Sequence, residues 1–286
     1  MSGLNGLTRA LLAGAALAGF SSAALADGYG GSVKDAPAEE GRKLALSVTV
    51  GGTSDYVFRG VSQTFEDPAA QGSIDLTYGI LYAGIWGSNV DFNDAPEATA
   101  EVDFYAGIKP TLGPGPLWGP VTFDLGVIYY AYPGADDGAN FIAGGKQLDY
   151  VELKAGYSMV SPWIKGLTSG TTVYWSPDYS LETGDVFTVE SAASYALPQF
   201  GIFSPSISGA YGSVYGDVND GFSVGGDNED EYSYWNVGLA LAVEKFTFDF
   251  RYWDSDIDVV TNGGSVCVSQ GLCDERFVFT AKVTLP

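Results

Sequence analysis

The sequence predicts an all-β protein: a transmembrane antiparallel up-and-down β-barrel of about twelve strands, with short periplasmic turns and long acidic external loops. Two observations lead to this fold class. Apolar and polar residues alternate with a period of two along most of the chain, and long connections alternate with tight ones. Ionisable residues in mid-strand and aromatic residues at strand ends then favour lipid outside and a polar interior.

Composition excludes several classes of function. The chain has 286 residues and a net charge of −22, and it contains no histidine. Nucleic acids require clusters of Lys and Arg, so we expect no nucleic-acid partner. Without histidine a Ser–His–Asp triad cannot form, and no zinc motif, P-loop or nucleophile elbow is present. We therefore expect neither an enzyme nor a cofactor or metal, with a carboxylate-pair hydrolase as the remaining enzymatic alternative.

The N-terminal segment, residues 1–26, has the features of a secretory signal peptide. Arg9 precedes a short apolar stretch, and residues 24–26 provide a small-x-small cleavage site. An uncleaved anchor is the alternative, but the apolar stretch is too short to span a bilayer comfortably. Residues 27–43 lack periodicity and are predicted to form a flexible lead-in, which leaves 44–286 for a barrel in the Gram-negative cell outer membrane.

The strands follow from the alternation of apolar and polar residues. Near the C-terminus, Phe246, Phe248 and Phe250 alternate with Thr247 and Asp249, which gives an extended strand one apolar and one polar face. The predicted strands are 44–60, 71–79, 81–92, 99–112, 121–133, 148–160, 167–179, 186–198, 203–216, 233–244, 245–257 and 276–286. The connections after odd-numbered strands are long or acidic, whereas most of the others are tight, such as "GI" and "QFGI".

Aromatic residues cluster at both ends of these strands, as bilayer interfaces select. The set beside the long loops is Phe92, Tyr130, Tyr132, Trp175, Tyr179, Trp235, Tyr252 and Trp253, and the set at the other end is Trp118, Trp163 and Phe200. A secreted soluble β-protein with its apolar faces buried inside is the alternative to this arrangement.

The polar faces of the strands define a predicted lumen. By strand parity, its ionisable residues are Asp55, Arg59, Asp75, Glu101, Asp103, Lys109, Asp124, Glu152, Lys154, Glu190, Asp249, Arg251 and Lys282. These are 8 acids and 5 bases, and 5 − 8 gives a net charge of −3. A conducting pore with this lining is expected to prefer cations modestly. A barrel plugged by its own side chains is the alternative.

The stretch "SDYVFRGVSQT", residues 54–64, places two charges in an aromatic strand. Asp55 and Arg59 share the inward parity of the first strand, so Tyr56 and Phe58 are predicted to face the lipid interface. The two charges are roughly 13 Å apart along a strand and cannot pair directly. Asp75 and Lys282 on the neighbouring strands are their predicted partners.

Two further features lie in the long loops. Cys267 and Cys273 are predicted to form a disulfide within one loop, since export permits it and two cysteines without histidine do not suit a metal. The acidic stretches 227–231 and 254–258 are predicted to be solvated, with Ca²⁺ binding and bridging to lipopolysaccharide as the alternative.

Five motifs together resemble a known family. They are "SDYVFRGVSQT", "PAAQGSIDLTYG", "LYAGIWGSNVDF", "YYAYPG" and "YWSPDYS", in the order typical of TorF-family porins, proteobacterial outer-membrane proteins also called the Gcw_chp family of unknown function. The resemblance covers essentially the whole mature chain. It implies an outer-membrane barrel and, by its name, a pore. The partners expected of such a pore are outer-membrane lipid and lipopolysaccharide, with small hydrophilic solutes or cations in its lumen.

Two points qualify this resemblance. The chain ends in "KVTLP", whereas many outer-membrane barrels end in an aromatic residue. The competing functional interpretation is a non-conducting barrel that displays acidic loops for adhesion or envelope organisation.

Overall fold

The computed structural model describes residues 43–92, 98–115, 117–135, 147–224, 229–257, 266–267 and 271–286. The predicted signal peptide and nearly all of the predicted lead-in lie outside these residues. The described part of the chain contains no helix long and apolar enough to cross a membrane.

Twelve antiparallel strands form a closed barrel, in which the sequence order of the strands is also their order in the sheet. The strands are β1 (Leu44–Thr53), β2 (Ala69–Tyr78), β3 (Leu81–Asn89), β4 (Ala100–Ile108), β5 (Val121–Ala131), β6 (Tyr150–Val160), β7 (Leu167–Ser176), β8 (Val186–Ala196), β9 (Ser204–Tyr215), β10 (Glu231–Val243), β11 (Phe246–Ser255) and β12 (Arg276–Leu285). After β4, a two-residue extension at Thr111–Leu112 continues the pairing with β5.

The barrel closes where the last strand meets the first. β12 pairs with β1 from Val48 opposite Leu285 to Thr53 opposite Thr280, and the other edge of β1 pairs with β2. Each of the twelve strands therefore has a hydrogen-bonded neighbour on both sides, and none of them forms the free edge of an open sheet. We call the β1–β12 junction the seam.

The predicted fold class is confirmed: the protein is an all-β, antiparallel, closed barrel of twelve strands. Long connections follow the odd-numbered strands, and short ones follow most of the even-numbered strands. Two of the tight turns are two residues long and include a residue with positive φ, at Gly79 and at Glu244. The one large departure is the first predicted strand, 44–60, because β1 ends at Thr53.

Alternate residues of each strand face opposite sides of the barrel wall. In β8, Val186, Thr188 and Glu190 are buried inside, whereas Phe187 and Val189 are exposed on the outside. The same alternation surrounds the barrel, so its outer surface is an apolar band. The interior is therefore the polar side along much of the wall, with the largest aromatic clusters toward the long loops.

The predicted aromatic belt beside the long loops is wrong for several of its members. Tyr130, Tyr132 and Trp253 are buried inside the barrel, and Tyr179 packs against the same interior cluster. Tyr130 and Trp253 have the inward parity of their strands, which the clustering of aromatic residues at strand ends did not take into account, whereas Tyr132 and Tyr179 lie just beyond strand ends. At the other end, the side chains of the predicted set are exposed, namely Trp118, Trp163 and Phe200.

The seam depends on a close approach that only glycine permits. A Cβ on Gly51 would lie 2.8 Å from the Ala281 carbonyl oxygen and 2.9 Å from the Lys282 Cβ, both on β12. We expect Gly51→Ala to destabilise the barrel by about 1–3 kcal/mol, the usual cost of overpacking. The measurement is the temperature at which the folded band converts to the unfolded band in semi-native electrophoresis.

Gly113→Ala is the matched control for this prediction, because a Cβ at Gly113 meets nothing within 4 Å. Equal conversion temperatures for the two variants would show that the seam tolerates a Cβ at Gly51.

Candidate functional site

Residues 54–66, which we call the lumen hairpin, leave the wall after β1 and fold into the barrel. Val57–Phe58 pairs with Val61–Ser62 as a two-stranded ribbon. Its turn residues, Arg59 and Gly60, have φ values of 48° and 84°, the combination that two-residue type I′ hairpin turns require. The turn projects the Arg59 side chain from the tip of the ribbon toward the opposite wall.

The structure therefore corrects the prediction for this stretch. Tyr56 and Phe58 do not face lipid, since they are 1% and 8% exposed inside the barrel. Local hydrogen bonds redirect the chain: the Thr53 hydroxyl donates to the Asp55 carbonyl, and the Tyr56 amide donates to the Thr64 hydroxyl. Such side-chain to backbone bonds compete with a sheet ladder, so β1 ends although the alternation continues.

The Arg59 guanidinium forms a bidentate ion pair with Glu152 of β6. Its Nη1 and Nη2 donate to Oε1 and Oε2, each at 2.8 Å, and the Tyr130 hydroxyl donates to the same Oε2 at 3.0 Å. Both members of the pair are about 1% exposed. Burial lowers the pKa of Arg59, but the charge and hydrogen bonds of Glu152, together with the nearby Tyr179 and Tyr130 hydroxyls, outweigh it and raise that pKa well above its ordinary value.

Aromatic rings complete the surroundings of Arg59. The guanidinium carbon lies 4.6 Å from the ring centre of Phe58 and 4.9 Å from that of Tyr174. Tyr179 lies near enough for the Arg59 charge to act on its hydroxyl. The cation is thus held by one carboxylate and by aromatic faces, both of which favour a guanidinium.

Asp55 anchors the base of the lumen hairpin. Its Oδ2 accepts from Arg276 of β12 at 2.9 Å, and its Oδ1 accepts from the hydroxyls of Ser62 and Thr64 at 2.7 and 2.9 Å. Arg276 also donates to the backbone carbonyls of Gly271 and Asp274. One arginine therefore links the hairpin, the seam and the last long loop.

The last long loop contacts the hairpin directly. A disulfide joins Cys267 and Cys273. Between these cysteines, the Leu272 carbonyl accepts from the Ser62 amide at 2.8 Å. The Cys273 carbonyl accepts from the Ser255 hydroxyl of β11 at 3.0 Å. The disulfide loop therefore packs over the hairpin and ties it to the wall.

The hairpin reaches the remaining walls as well. Tyr56 donates to Glu101 of β4 at 3.0 Å and packs edge-on against Trp86 of β3. On the other side, a Cβ at Gly60 would lie 2.8 Å from the Tyr234 Cβ of β10 and 3.2 Å from the Ser255 Cβ of β11. With Glu152 on β6 and Arg276 on β12, the contacts surround the hairpin, which fills the lumen toward the long loops.

The lumen toward the short turns is less filled. The side chains of Lys109 and Asp124 are 29% and 22% exposed, and Asp124 accepts from Lys154 at 2.9 Å and from Tyr82 at 2.7 Å. The Tyr82 ring lies flat against the wall, where a Cβ at Gly107 would meet its hydroxyl oxygen at 2.4 Å. Because glycine accepts the ring, the side chain does not cross the lumen.

The other predicted lumen residues lie on the same inner surface. Asp75 accepts from Ser73 and Tyr105, and Asp249 pairs with Arg251 at 2.9 Å. Arg251 also donates to Asn236 and Ser208. Asp103 and Glu190 are buried, with 0% and 2% of their surface exposed. Lys282 faces inward opposite Gly51 at the seam.

The predicted partners of the two charges in the opening stretch are wrong. Neither Asp75 nor Lys282 pairs with Asp55 or Arg59, which instead bind Arg276 and Glu152. Sequence reasoning missed Arg276, although its parity matches that of Lys282 on the same strand. It also missed Tyr174, which shares the inward parity of β7.

The acidic stretches 227–231 and 254–258 lie only partly within the described residues. Across the ranges that are described, no group of three His, Cys, Asp or Glu side chains is placed to hold a metal ion.

Comparison with known proteins places this geometry in context. Residues 37–285 match the model of a family described as "Bacterial protein of unknown function (Gcw_chp)". No curated protein sequence matches the chain. Among solved structures, the NanC porin aligns with a TM-score of 0.51 at 11% identity, over 85% of this chain and 100% of that one. This likeness is one of fold.

Two further solved structures align less closely. The COG4313 outer membrane channel from Pseudomonas putida F1 has a TM-score of 0.45 at 12% identity, over 87% of this chain and 97% of that one. LpxR from Salmonella typhimurium has a TM-score of 0.40 at 10% identity, over 84% and 99%.

The buried ion pair predicts a large effect of a small substitution. Glu152→Gln leaves the Arg59 charge buried without its counter-charge, and we expect a loss of about 3–5 kcal/mol in the free energy of unfolding. Urea unfolding in detergent, followed by tyrosine and tryptophan fluorescence, measures it. Glu231→Gln, at an exposed acid that begins β10, is the control. Equal losses in both variants would contradict an essential pair.

Tyr179 predicts a pH dependence. Burial raises its pKa to about 12 from an ordinary 10.0, although the nearby Arg59 charge partly offsets this. Because the unfolded state ionises first, the free energy of unfolding should fall as the pH rises from about 10 to about 12. Tyr179→Phe should make this fall less steep in thermal melts across that range. An unchanged slope would show that Tyr179 ionises equally in both states.

Proposed function

The chain belongs to the Gcw_chp family of bacterial proteins of unknown function, and we propose that it is an outer-membrane channel for small hydrophilic solutes or ions. One observation carries the proposal: the polarity of the barrel is inverted, with apolar side chains outside and ionised ones inside. Leu76, Phe104 and Leu125 are exposed on the outer surface, whereas Asp124 and Lys154 line the interior. A wall of this kind suits a hydrated lumen surrounded by lipid.

The location follows from the same surface. A continuous apolar band is stable against hydrocarbon, and exposed Trp163 and Phe200 at the short-turn end suit a membrane interface. Export by the signal peptide at residues 1–26, contact with outer-membrane lipid and lipopolysaccharide, and the narrower kinship with TorF-family porins are parts of this proposal. A non-enzymatic role is another part, because a chain without histidine lacks the commonest general base.

In this proposal the structure is the closed conformation of the channel. The lumen hairpin fills the passage toward the long loops, while partly exposed charges line the other half. The hairpin is held by two ion pairs and by hydrogen bonds, which water can replace, and by the packing of its apolar side chains in the interior clusters. Opening therefore requires the hairpin to leave its contacts, not the barrel wall to change.

A modest cation preference is expected of the open channel. Five buried carboxyls lie on the hairpin or directly behind it, against two arginines, Arg59 and Arg276; the carboxyls are Asp55, Glu101, Asp103, Glu152 and Glu190. Rings of carboxylates select cations in pores. This layer would form the narrowest part of the passage and would therefore set its selectivity.

The second candidate function is a non-conducting barrel that displays its long loops at the cell surface. The burial of Arg59 and Glu152, at about 1% exposure each, is the observation that favours it, because a permanently seated hairpin would block all passage.

Electrical recording separates the two candidates. Arg59→Glu places two carboxylates together and should drive the hairpin from the lumen, so we expect a higher open probability than in the wild type in planar bilayers. The reversal potential in a potassium chloride gradient should show a modest preference for potassium. The matched control is Arg59→Glu with Glu152→Arg, which restores an ion pair and should restore closure. Silence in every variant would leave the display barrel as the function.

A further inference from the structure

The wall around Glu152 has the features of a recognition site for a guanidinium group. Both carboxylate oxygens accept hydrogen bonds from Arg59 at 2.8 Å, which is the parallel, two-point geometry that a planar guanidinium offers. The Tyr130 hydroxyl orients the carboxylate from the side. The Tyr174 ring lies 4.9 Å from the cation, at cation–π distance.

The group that occupies this site is not part of the wall. Arg59 belongs to the tip of the lumen hairpin, in a left-handed backbone conformation that is unfavourable for a residue with a side chain. Asn, Asp or Gly would suit that position better. The turn therefore accepts a conformational cost to present a guanidinium to Glu152.

The surroundings of the site attract cations beyond the pair itself. Glu101 accepts from Tyr56, and Glu190 accepts from Tyr234, while Asp103 lies next to Glu101 in the same buried layer. These carboxyls give the layer a negative potential in an interior where screening by water is weak. A single guanidinium does not neutralise them all.

We infer that the Glu152, Tyr130 and Tyr174 side chains form a binding site for organic cations bearing a guanidinium group, which Arg59 occupies in the closed barrel. Such a cation competes with Arg59 for Glu152, and its binding releases the hairpin tip. An ammonium group would bind more weakly, because it lacks the planar two-point donor set. Only the effect of the cation on transport depends on the proposed function, because binding of the cation to the wall requires no conduction.

Chemical rescue tests the site in the purified, detergent-solubilised protein. Arg59→Ala removes the two methylenes and the guanidinium beyond Cβ, and ethylguanidinium supplies the same atoms. We expect the variant to melt at a lower temperature than the wild type. Ethylguanidinium at about ten times its Kd should raise that temperature by a few degrees, and the rise should grow with the logarithm of its concentration.

Two controls make the rescue specific. Ethylurea has nearly the same shape without the charge and should not raise the melting temperature. Arg59→Ala combined with Glu152→Gln lacks the acceptor and should not respond to ethylguanidinium. Equal responses to ethylurea, or rescue without Glu152, would overturn the inference. If Arg59→Ala does not fold, Arg59→Gly relieves the positive φ, and propylguanidinium then replaces the missing atoms.

Ethylguanidinium stabilises the folded Arg59→Ala variant, but in the wild type it competes with Arg59 and favours opening. Ethylguanidinium added to the wild-type barrel in a planar bilayer should increase the fraction of time spent open, whereas ethylurea should not. Rescue without any current would support the site and reject the channel. Current that ethylguanidinium leaves unchanged, together with failed rescue, would support the channel and reject the site.

Discussion

Closure of the sheet on itself is the constraint on which the rest of the molecule depends. Once β12 pairs with β1, every backbone hydrogen bond of the wall is internal, and each strand must send alternate side chains into an enclosed space. Ionised residues placed there have little water available and must find partners. The inner surface is accordingly organised as pairs, such as Lys154 with Asp124 and Arg251 with Asp249. The lumen hairpin supplies partners that the wall itself lacks.

The ion pairs of the hairpin need an explanation other than stability, because apolar side chains in their place would hold the hairpin equally well. Replacing a buried ion pair by packed apolar side chains is often neutral or stabilising, so pairs such as Arg59 with Glu152 are weak evidence for stability alone. These ion pairs hold the hairpin in the closed lumen, and their charged groups are solvated by water when the pairs separate. Release of this hairpin into a hydrated lumen would expose its charges and hydroxyls, which water solvates, together with the apolar side chains that now pack in the interior clusters.

Much of the fold was predictable because the wall obeys local rules. The period of two located all twelve strands, and the predicted alternation of long and short connections agrees with the structure. Parity also placed Glu152 and Asp249 on the inner surface. The same rule failed at residues 54–60, since a hairpin inside a barrel is as extended as a strand in its wall.

The partners in the site were beyond any local rule. Arg59 meets Glu152 across 93 positions, and Asp55 meets Arg276 across 221. Which inward residues face each other depends on strand register and on the tilt that closure imposes, neither of which alternation encodes. Arg276 is an example, because its inward parity could be predicted from the sequence, but its contact with Asp55 of the hairpin could not.

The position of Arg276 at the first residue of β12 has a consequence for how the molecule is made. Asp55 follows the first strand, and its counter-charge begins the last, so the hairpin base cannot be neutralised until nearly the whole chain exists and the seam has formed. Its other support, the Leu272 carbonyl, lies in the loop just before β12. The hairpin therefore docks fully in the lumen only as the last step of assembly, after the barrel has closed. A truncated or unclosed barrel lacks both the counter-charge of Asp55 and the backbone support of Leu272.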